Sequence, residues 1–230
     1  IFREYDIRGT YPVTINETVA YTIGRSYGSY IRERYNQTTC IVSHDNRLSS
    51  PALAAYLIKG INDSGVNVYN YGLTTTPMHY YARYIHNIFG IMITASHNPK
   101  DDNGFKFSFD NLANARGDMI EDFKNYTLCE SMDCSFRIFS SGNITEKYVE
   151  FLRYGLEFGR RKRKVVIDIG NGTTSIVARK VFEKVNIDAE YLFEESDGRF
   201  PNHHPDPVVE ENLEALKKEL KTNVQIISLD

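Results

Sequence analysis

The sequence predicts an α/β protein of two similar domains, each a mixed sheet sandwiched by helices, with the second domain apparently truncated. Two observations carry this expectation. A β-branched run, a helical period and a second β-branched run follow one another twice along the chain, which is the pattern of a β–α–β unit. Both copies also turn on an aspartate at the end of the first strand, Asp45 and Asp168, and keep nearly the same length. A chain of 230 residues has room for one large domain or two modest ones, and the repeat favours two.

The first unit opens with Ile41-Val42-Ser43-His44-Asp45, a strand that ends in the polar cluster Asp45-Asn46-Arg47. Ser50-Pro51 then starts a helix, because proline at the first helical position loses no hydrogen bond there. Leu53, Ala54, Leu57, Ile58 and Ile61 recur at helical spacing, Gly65 closes the helix, and Val66, Val68 and Tyr69 restart a strand. Further on, Ile91-Met92-Ile93-Thr94 reads as a buried strand that delivers Ala95-Ser96-His97-Asn98-Pro99 onto a loop. Phe105-Lys106-Phe107-Ser108-Phe109 leaves as an alternating strand, so Ser96 and Lys106 are expected at opposite ends of one loop.

Ile144 to Leu152 is an amphipathic helix placed as a connector, and the basic run Arg160 to Lys164 follows as a solvated entry into the next strand. Lys164 to Ile169 is that strand, Gly170 to Ser175 a turn and helix start, and Ile176, Val177, Val181 and Val185 line a helix. Ile187 to Phe193 closes the second unit. The expected boundaries are 1–145 for the first domain, 146–159 for the connecting helix and 160–230 for an incomplete second domain. A chain that starts at Ile1 and stops at Asp230 inside an apparent strand reads as a piece of something longer.

Composition narrows the function. Apolar residues make up 41% and charged residues 25%, ordinary for a soluble globular protein. A net charge of −3 gives no basic footprint for nucleic acid. No signal peptide and no run of about 18 apolar residues is present, so no membrane partner is expected. Cys40, Cys129 and Cys134 form no paired or zinc-binding spacing and read as reduced thiols of a cytoplasmic protein.

The chemistry centres on Ser96. A serine hydrolase would need a base within hydrogen-bond reach, which the adjacent His97 does not readily supply, and no G-x-S-x-G elbow is present. No phosphate-binding G-x-x-x-x-G-K-S/T loop occurs either. An exposed serine followed by His97, Asn98 and a nearby lysine suits a phosphate acceptor, whose charge needs several donors. The residue types alone leave that reading and an ordinary turn serine equally open.

The motifs go further. Thr94 to Lys106 resembles the active-site loop of the α-D-phosphohexomutases, and Phe2-Arg3-Glu4-Tyr5-Asp6-Ile7-Arg8-Gly9 is similar to that family's F-R-x-Y-D-I-R-G. Asp45 to Ser50 resembles its D-x-R-x-S-S, while Asp168-x-Gly170-Asn171-Gly172 and Phe200 to Pro207 resemble its second-domain motifs. The run Pro201-Asn202-His203-His204-Pro205-Asp206-Pro207 points to the phosphomannomutase/phosphoglucomutase group, since glucosamine-phosphate mutases share the serine loop but lack it. The adjacent histidines themselves read as structural.

The resemblance implies an enzyme that interconverts hexose 1-phosphate and hexose 6-phosphate, of mannose or glucose, through a phosphoserine and a hexose 1,6-bisphosphate. It implies Ser96 as phosphoryl carrier, Lys106 as general acid/base, and Arg8 and His97 as donors to the phosphoserine and the transferring phosphate. A lysine in that role needs its pKa lowered by positive neighbours or desolvation. Tyr5, Arg8, Asn98 and Lys106 are the implied substrate-binding residues, and Arg47 either braces this shell or partners Asp45. Mg²⁺, held by oxygen ligands, is the implied cofactor, with Ser96 and Asp230 as its ligands here. The other two aspartates of the family's metal loop and the C-terminal domains lie outside this chain, so this piece alone is expected to be inactive. The competing expectation is a non-catalytic fragment or degenerate homologue that binds sugar phosphate or a protein partner.

Overall fold

The computed structural model describes residues 1–110, 114–129, 139–156, 164–219 and 224–228. Two compact units result. One holds Ile1–Ala95 and Asp101–Asn143, and the other holds Ile144–Asp230 together with the loop Ser96–Lys100.

The first unit runs β1 (Ile7–Thr10), α1 (Glu17–Tyr35), β2 (Thr39–His44), α2 (Ser50–Asp63), β3 (Asn67–Leu73), α3 (Thr76–His86), β4 (Gly90–Ile93), β5 (Asp102–Ser108), α4 (Gly117–Cys129) and β6 (Phe139–Ser141). Its six strands lie in the order β1-β5-β4-β2-β3-β6. The β1–β5 and β5–β4 pairs are antiparallel and the others parallel, so the sheet is mixed as expected.

Strand pleating sends alternate residues to opposite faces. One face carries Ile7, Cys40, Val42, Ile91, Ile93, Phe105 and Phe107, which pack with Ile23 and Tyr27 of α1, Leu53 and Leu57 of α2, and Phe123 of α4. Helices α1 and α2 approach closely because a glycine sits at the crossing: a Cβ on Gly24 would lie 2.2 Å from the Leu57 carbonyl oxygen. The other face meets α3, whose buried His79 bonds Ser43 of β2 at 3.0 Å.

Placing α2 and α3 on opposite faces has a topological consequence. The chain passes from β2 through α2 to β3, then returns through α3 to β4 on the far side of β2. The sheet therefore has a switch point between β2 and β4, and in α/β sheets ligands gather beyond the carboxyl ends of strands at such a point. The polar cluster Asp45–Ser50 and the serine loop follow β2 and β4 there.

Lys106 sits elsewhere than the sequence predicts. β5 begins at Asp102, and Lys106 pairs with Met92 within the β4–β5 ladder. Lys106 therefore lies inside a strand and not at the end of the loop. Ser108, on the same strand, is buried with its hydroxyl bonded to Gly90.

The second unit contains α5 (Thr145–Gly155), β7 (Lys164–Asp168), a 3-10 turn (Thr173–Ile176), α6 (Ala178–Lys184), β8 (Ala189–Leu192), a second 3-10 turn (Glu210–Leu213), α7 (Glu214–Lys218) and β9 (Val224–Ser228). Its described strands pair in the order β8-β7-β9, all parallel, each reached through a helical crossover. The mixed sheet expected of both domains is thus met in the first, and the three strands described in the second are parallel. Val165, Ile167, Ile169 and Ala178 form its core. The repeat reappears in the turns: Asp168 Oδ1 accepts the Gly170 amide at 2.9 Å, as Asp45 Oδ1 accepts the Arg47 amide at 3.1 Å.

The run Arg160–Arg163, Cys134 and Asp230 lie outside the described residues. Cys40 is a buried free thiol. No described helix is long and apolar enough to cross a membrane.

Candidate active site

The antiparallel β1–β5 ladder sets which charged residues share a face. Ile7 pairs with Phe105 and Arg8 with Gly104. Just beyond that ladder, Asp6 precedes Ile7 and Lys106 follows Phe105, and the two side chains meet as an ion pair. Residues directly opposite in an antiparallel pair point to the same side, and so do residues two apart on one strand. Asp6, Arg8 and Lys106 therefore share the face away from the aromatic core. Asp6 Oδ2 accepts from Arg8 Nη2 at 2.7 Å and pairs with Lys106 Nζ at 3.5 Å. The Asp6 side chain is 6% exposed, against 26% for Arg8 and 21% for Lys106, so a buried carboxylate presents two cations towards water. Gly104 keeps this corner open, since a Cβ there would meet the Ile7 carbonyl oxygen at 2.4 Å.

A second network fixes the start of β5. Arg47, 1% exposed, donates from Nε to Asp45 Oδ2 at 3.1 Å and from Nη1 to the Asp102 carbonyl at 3.1 Å. Burial draws its guanidinium below the ordinary value, and the neighbouring Asp45 carboxylate opposes that shift. Ser50 donates to Asp45 Oδ1 at 2.5 Å. Asn103, fully buried, donates to the hydroxyls of Ser49 and Ser50 at 2.8 and 2.9 Å. Ser49 stands at the N-cap of α2 without capping it, because its hydroxyl serves this cluster. The strand that returns from the serine loop is thereby tied to the start of α2.

The loop leaves β4 after Thr94, whose amide donates to the Gly104 carbonyl at 3.0 Å. Ser96 and His97 are exposed and Asn98 is half-buried. Ser96 has φ of 55°, the left-handed region that non-glycine residues seldom occupy. Its Oγ lies 3.5 Å from His97 Nδ1, too long for the short bond a nucleophile shares with its base. Tyr5 is 57% exposed, with its phenol raised above the ordinary value by the Glu4 carboxylate beside it.

Of the residues singled out from the sequence, the structure brings Arg8 and Lys106 together and keeps His97 beside Ser96. Arg47 is the partner of Asp45. Sequence reasoning passed over Asp6 and Asn103. Asp6 stands two residues before Arg8, but its ion pair with Lys106 joins it to a distant strand; Asn103 is hidden in a run whose polarity suits any turn.

In the second unit, Phe200 to Pro207 is bound back to the turn after β7. His203 Nε2 lies 3.3 Å from both oxygens of the fully buried Asp168, and Nδ1 lies 2.9 Å from the His204 carbonyl. Asn202 donates to Asn171 Oδ1 at 2.7 Å. These contacts make the motif a structural clamp. Among the described residues, no group of three or more His, Cys, Asp or Glu is arranged to hold a metal ion.

Two family models match in order along the chain. The phosphoglucomutase/phosphomannomutase α/β/α domain I model covers residues 1–128, and the domain II model of the same family covers 146–228. The chain belongs to the phosphoglucomutase/phosphomannomutase family. It is 40% identical over 225 residues to a phosphomannomutase/phosphoglucomutase of Pseudomonas syringae pv. tomato, covering 96% of this chain and 47% of that protein. A phosphoglucomutase of Neisseria meningitidis serogroup A is 37% identical, covering all of this chain and 50% of its own length. A crystal structure of a phosphoglucomutase/phosphomannomutase family protein from Burkholderia thailandensis superposes with a TM-score of 0.88 at 33% identity, over 96% of this chain and 50% of that one. This member of the phosphoglucomutase/phosphomannomutase family thus spans about half the length of the curated relatives it matches.

Proposed function

We propose that this chain supplies the phosphoserine domain of a cytoplasmic phosphomannomutase/phosphoglucomutase, which interconverts hexose 1-phosphate and hexose 6-phosphate. The observation that carries the proposal is the exposed Ser96, held at φ of 55° on the loop beyond β4, within the domain that matches the family. Strained backbone of this kind gathers at functional sites.

Ser96 carries the phosphoryl group. The free hydroxyl oxygen of a hexose monophosphate attacks its phosphorus as the P–Oγ bond breaks, giving a hexose 1,6-bisphosphate. The hydroxyl proton leaves as the oxygen–phosphorus bond forms, and Ser96 Oγ gains a proton. Lys106 Nζ carries that proton, and Arg8 and His97 neutralise charge on the phosphoryl oxygens. The bisphosphate then returns its other phosphoryl group to Ser96 by the reverse exchange. Catalysis of this kind asks the protein mainly for in-line positioning and charge neutralisation. Tyr5 and Asn98 would contact the sugar phosphate. Mg²⁺ would add neutralising charge, with Ser96 and Asp230 as the ligands from this chain and the rest from residues beyond it. Domains C-terminal to this piece would complete the sugar pocket and its choice of mannose or glucose, and the piece alone would not turn over.

The test is transfer of labelled phosphate from glucose 1,6-bisphosphate to the full-length protein. One label per chain, mapped to Ser96 and absent in Ser96→Ala along with mutase activity, is the expected result. No label on the wild type, or full activity in Ser96→Ala, overturns the proposal.

A further inference from the structure

We infer that Asp6 is a positioning residue for the proton carrier: its buried carboxylate fixes Lys106 and Arg8 as a pair on one face of the β1–β5 ladder. The inference rests on the mutase reading above and adds a residue to it.

Asp6 is anchored before β1 by its carbonyl, which accepts the Arg3 amide at 2.8 Å, and Arg8 is anchored by its amide, which donates to the Ile1 carbonyl at 2.9 Å. The ladder ends at Ile7 and Phe105, and just beyond it Asp6, two residues from Arg8, meets Lys106 as an ion pair. A lysine ammonium is a mobile charge on a four-carbon stem, whereas an arginine fork is stiff. Two such cations side by side repel, and the freer lysine would swing away to water. Asp6 Oδ2, within 2.7 Å of Arg8 and 3.5 Å of Lys106, offsets that repulsion and gives both side chains one anchor. Because the Asp6 side chain is 6% exposed, water competes little for it, and the anchor holds better than a surface pair would.

Asparagine in place of Asp6 would keep the shape and lose the function. Its amide offers one acceptor oxygen and no charge, and its NH₂ would face an ammonium or guanidinium group. The role assigned to Asp6 is thus electrostatic positioning through Lys106, with no contact to the reacting atoms.

The experiment uses the full-length protein with Asp6→Asn and Asp6→Glu, and two readouts. The first is mutase kinetics. Misplacing the proton carrier by about 1 Å is expected to lower kcat by about 10²-fold with KM little changed, and Asp6→Glu is expected to recover much of that loss. The second is acylation of lysines by a succinimidyl ester, mapped by mass spectrometry. Lys106 is expected to react several-fold faster in Asp6→Asn, with Lys59 and Lys147 unchanged. Either readout left at the wild-type level in Asp6→Asn overturns the inference. If Asp6→Asn unfolds, all lysines accelerate together and Asp6→Glu decides: a protected Lys106 supports the role, and an unprotected one overturns it. A wild type that takes no label at Ser96 overturns the mutase reading instead, a result the acylation pattern cannot mimic.

Discussion

At the scale of single residues, Ser96 joins an exposed hydroxyl to a left-handed backbone. Asn36 and Asn87 also have positive φ, of 54° and 52°, but each closes a helix, where asparagine in the left-handed region is common. Ser96 closes no helix, and neither do Phe193 and Phe200 with φ of 50° and 49°, but of these three only Ser96 carries a hydroxyl. Holding a residue with a Cβ in this conformation costs about 1–2 kcal/mol, and glycine escapes the cost. The serine is retained there for its hydroxyl, so chemistry and stability should separate on substitution. Ser96→Gly is expected to be more stable than Ser96→Ala by about 1 kcal/mol, as read from urea unfolding midpoints. Neither variant should take label from a hexose 1,6-bisphosphate. Equal stabilities would show that the loop relaxes out of the left-handed region without its serine.

At the scale of elements, the loop between β4 and β5 is held at its base by residues that no local pattern places together. Arg47 reaches from the turn before α2 to the Asp102 carbonyl, and Asn103 reaches back to Ser49 and Ser50. Removing the guanidinium strands a mostly buried Asp45 carboxylate, and breaking such a pair costs about 3–5 kcal/mol. Arg47→Ala should lose about that much in urea unfolding, with faster hydrogen exchange in β5. Arg47→Lys should not restore it, because an ammonium cannot satisfy Asp45 and the Asp102 carbonyl with the planar fork that Arg47 uses. Ser49→Ala should cost only about 1 kcal/mol, since Asn103 keeps its bond to Ser50. A loss in Arg47→Ala no larger than in Ser49→Ala would refute this account of the anchor. Strand β2, helix α2 and the Asp45 turn were legible in the sequence because each is written in local periodicity and punctuation. The pairing of Lys106 with Met92 was not, because register is a long-range property, and a lysine between phenylalanines reads equally well as a strand end or a strand middle. The role of Asp6 is not written locally for a related reason: its meaning comes from the partner strand, which joins it to a residue 100 positions away.

At the scale of the whole molecule, the two units repeat one design, a parallel β–α–β unit with an aspartate that accepts an amide two residues on, yet they differ in what acid does to them. In the first unit, His79 is 1% exposed and bonded to Ser43. Burial, with a smaller contribution from the Arg83 guanidinium, lowers its pKa to about 3 from an ordinary 6.5. The unfolded chain therefore takes up a proton near pH 6.5 that the folded unit refuses. Stability from this group is fully present above pH 6.5 and falls as the pH drops below it, with a limiting slope of about 1.4 kcal/mol per pH unit. In the second unit, Asp197 is lowered to about 2 by hydrogen bonds from the Arg199 side chain and backbone. Its contribution is present above the ordinary aspartate value of 3.8 and fades only as the pH falls towards 2. Between pH 6.5 and 5, then, acid should weaken the first unit through His79 while the Asp197 pair in the second is untouched. Hydrogen exchange followed peptide by peptide can separate the two: protection in β2, α3 and β4 should decline over this range. His79→Gln removes the titrating ring, so it should lower protection at pH 7 and flatten the decline below it. An unchanged slope in His79→Gln would assign the acid sensitivity of this unit to another group.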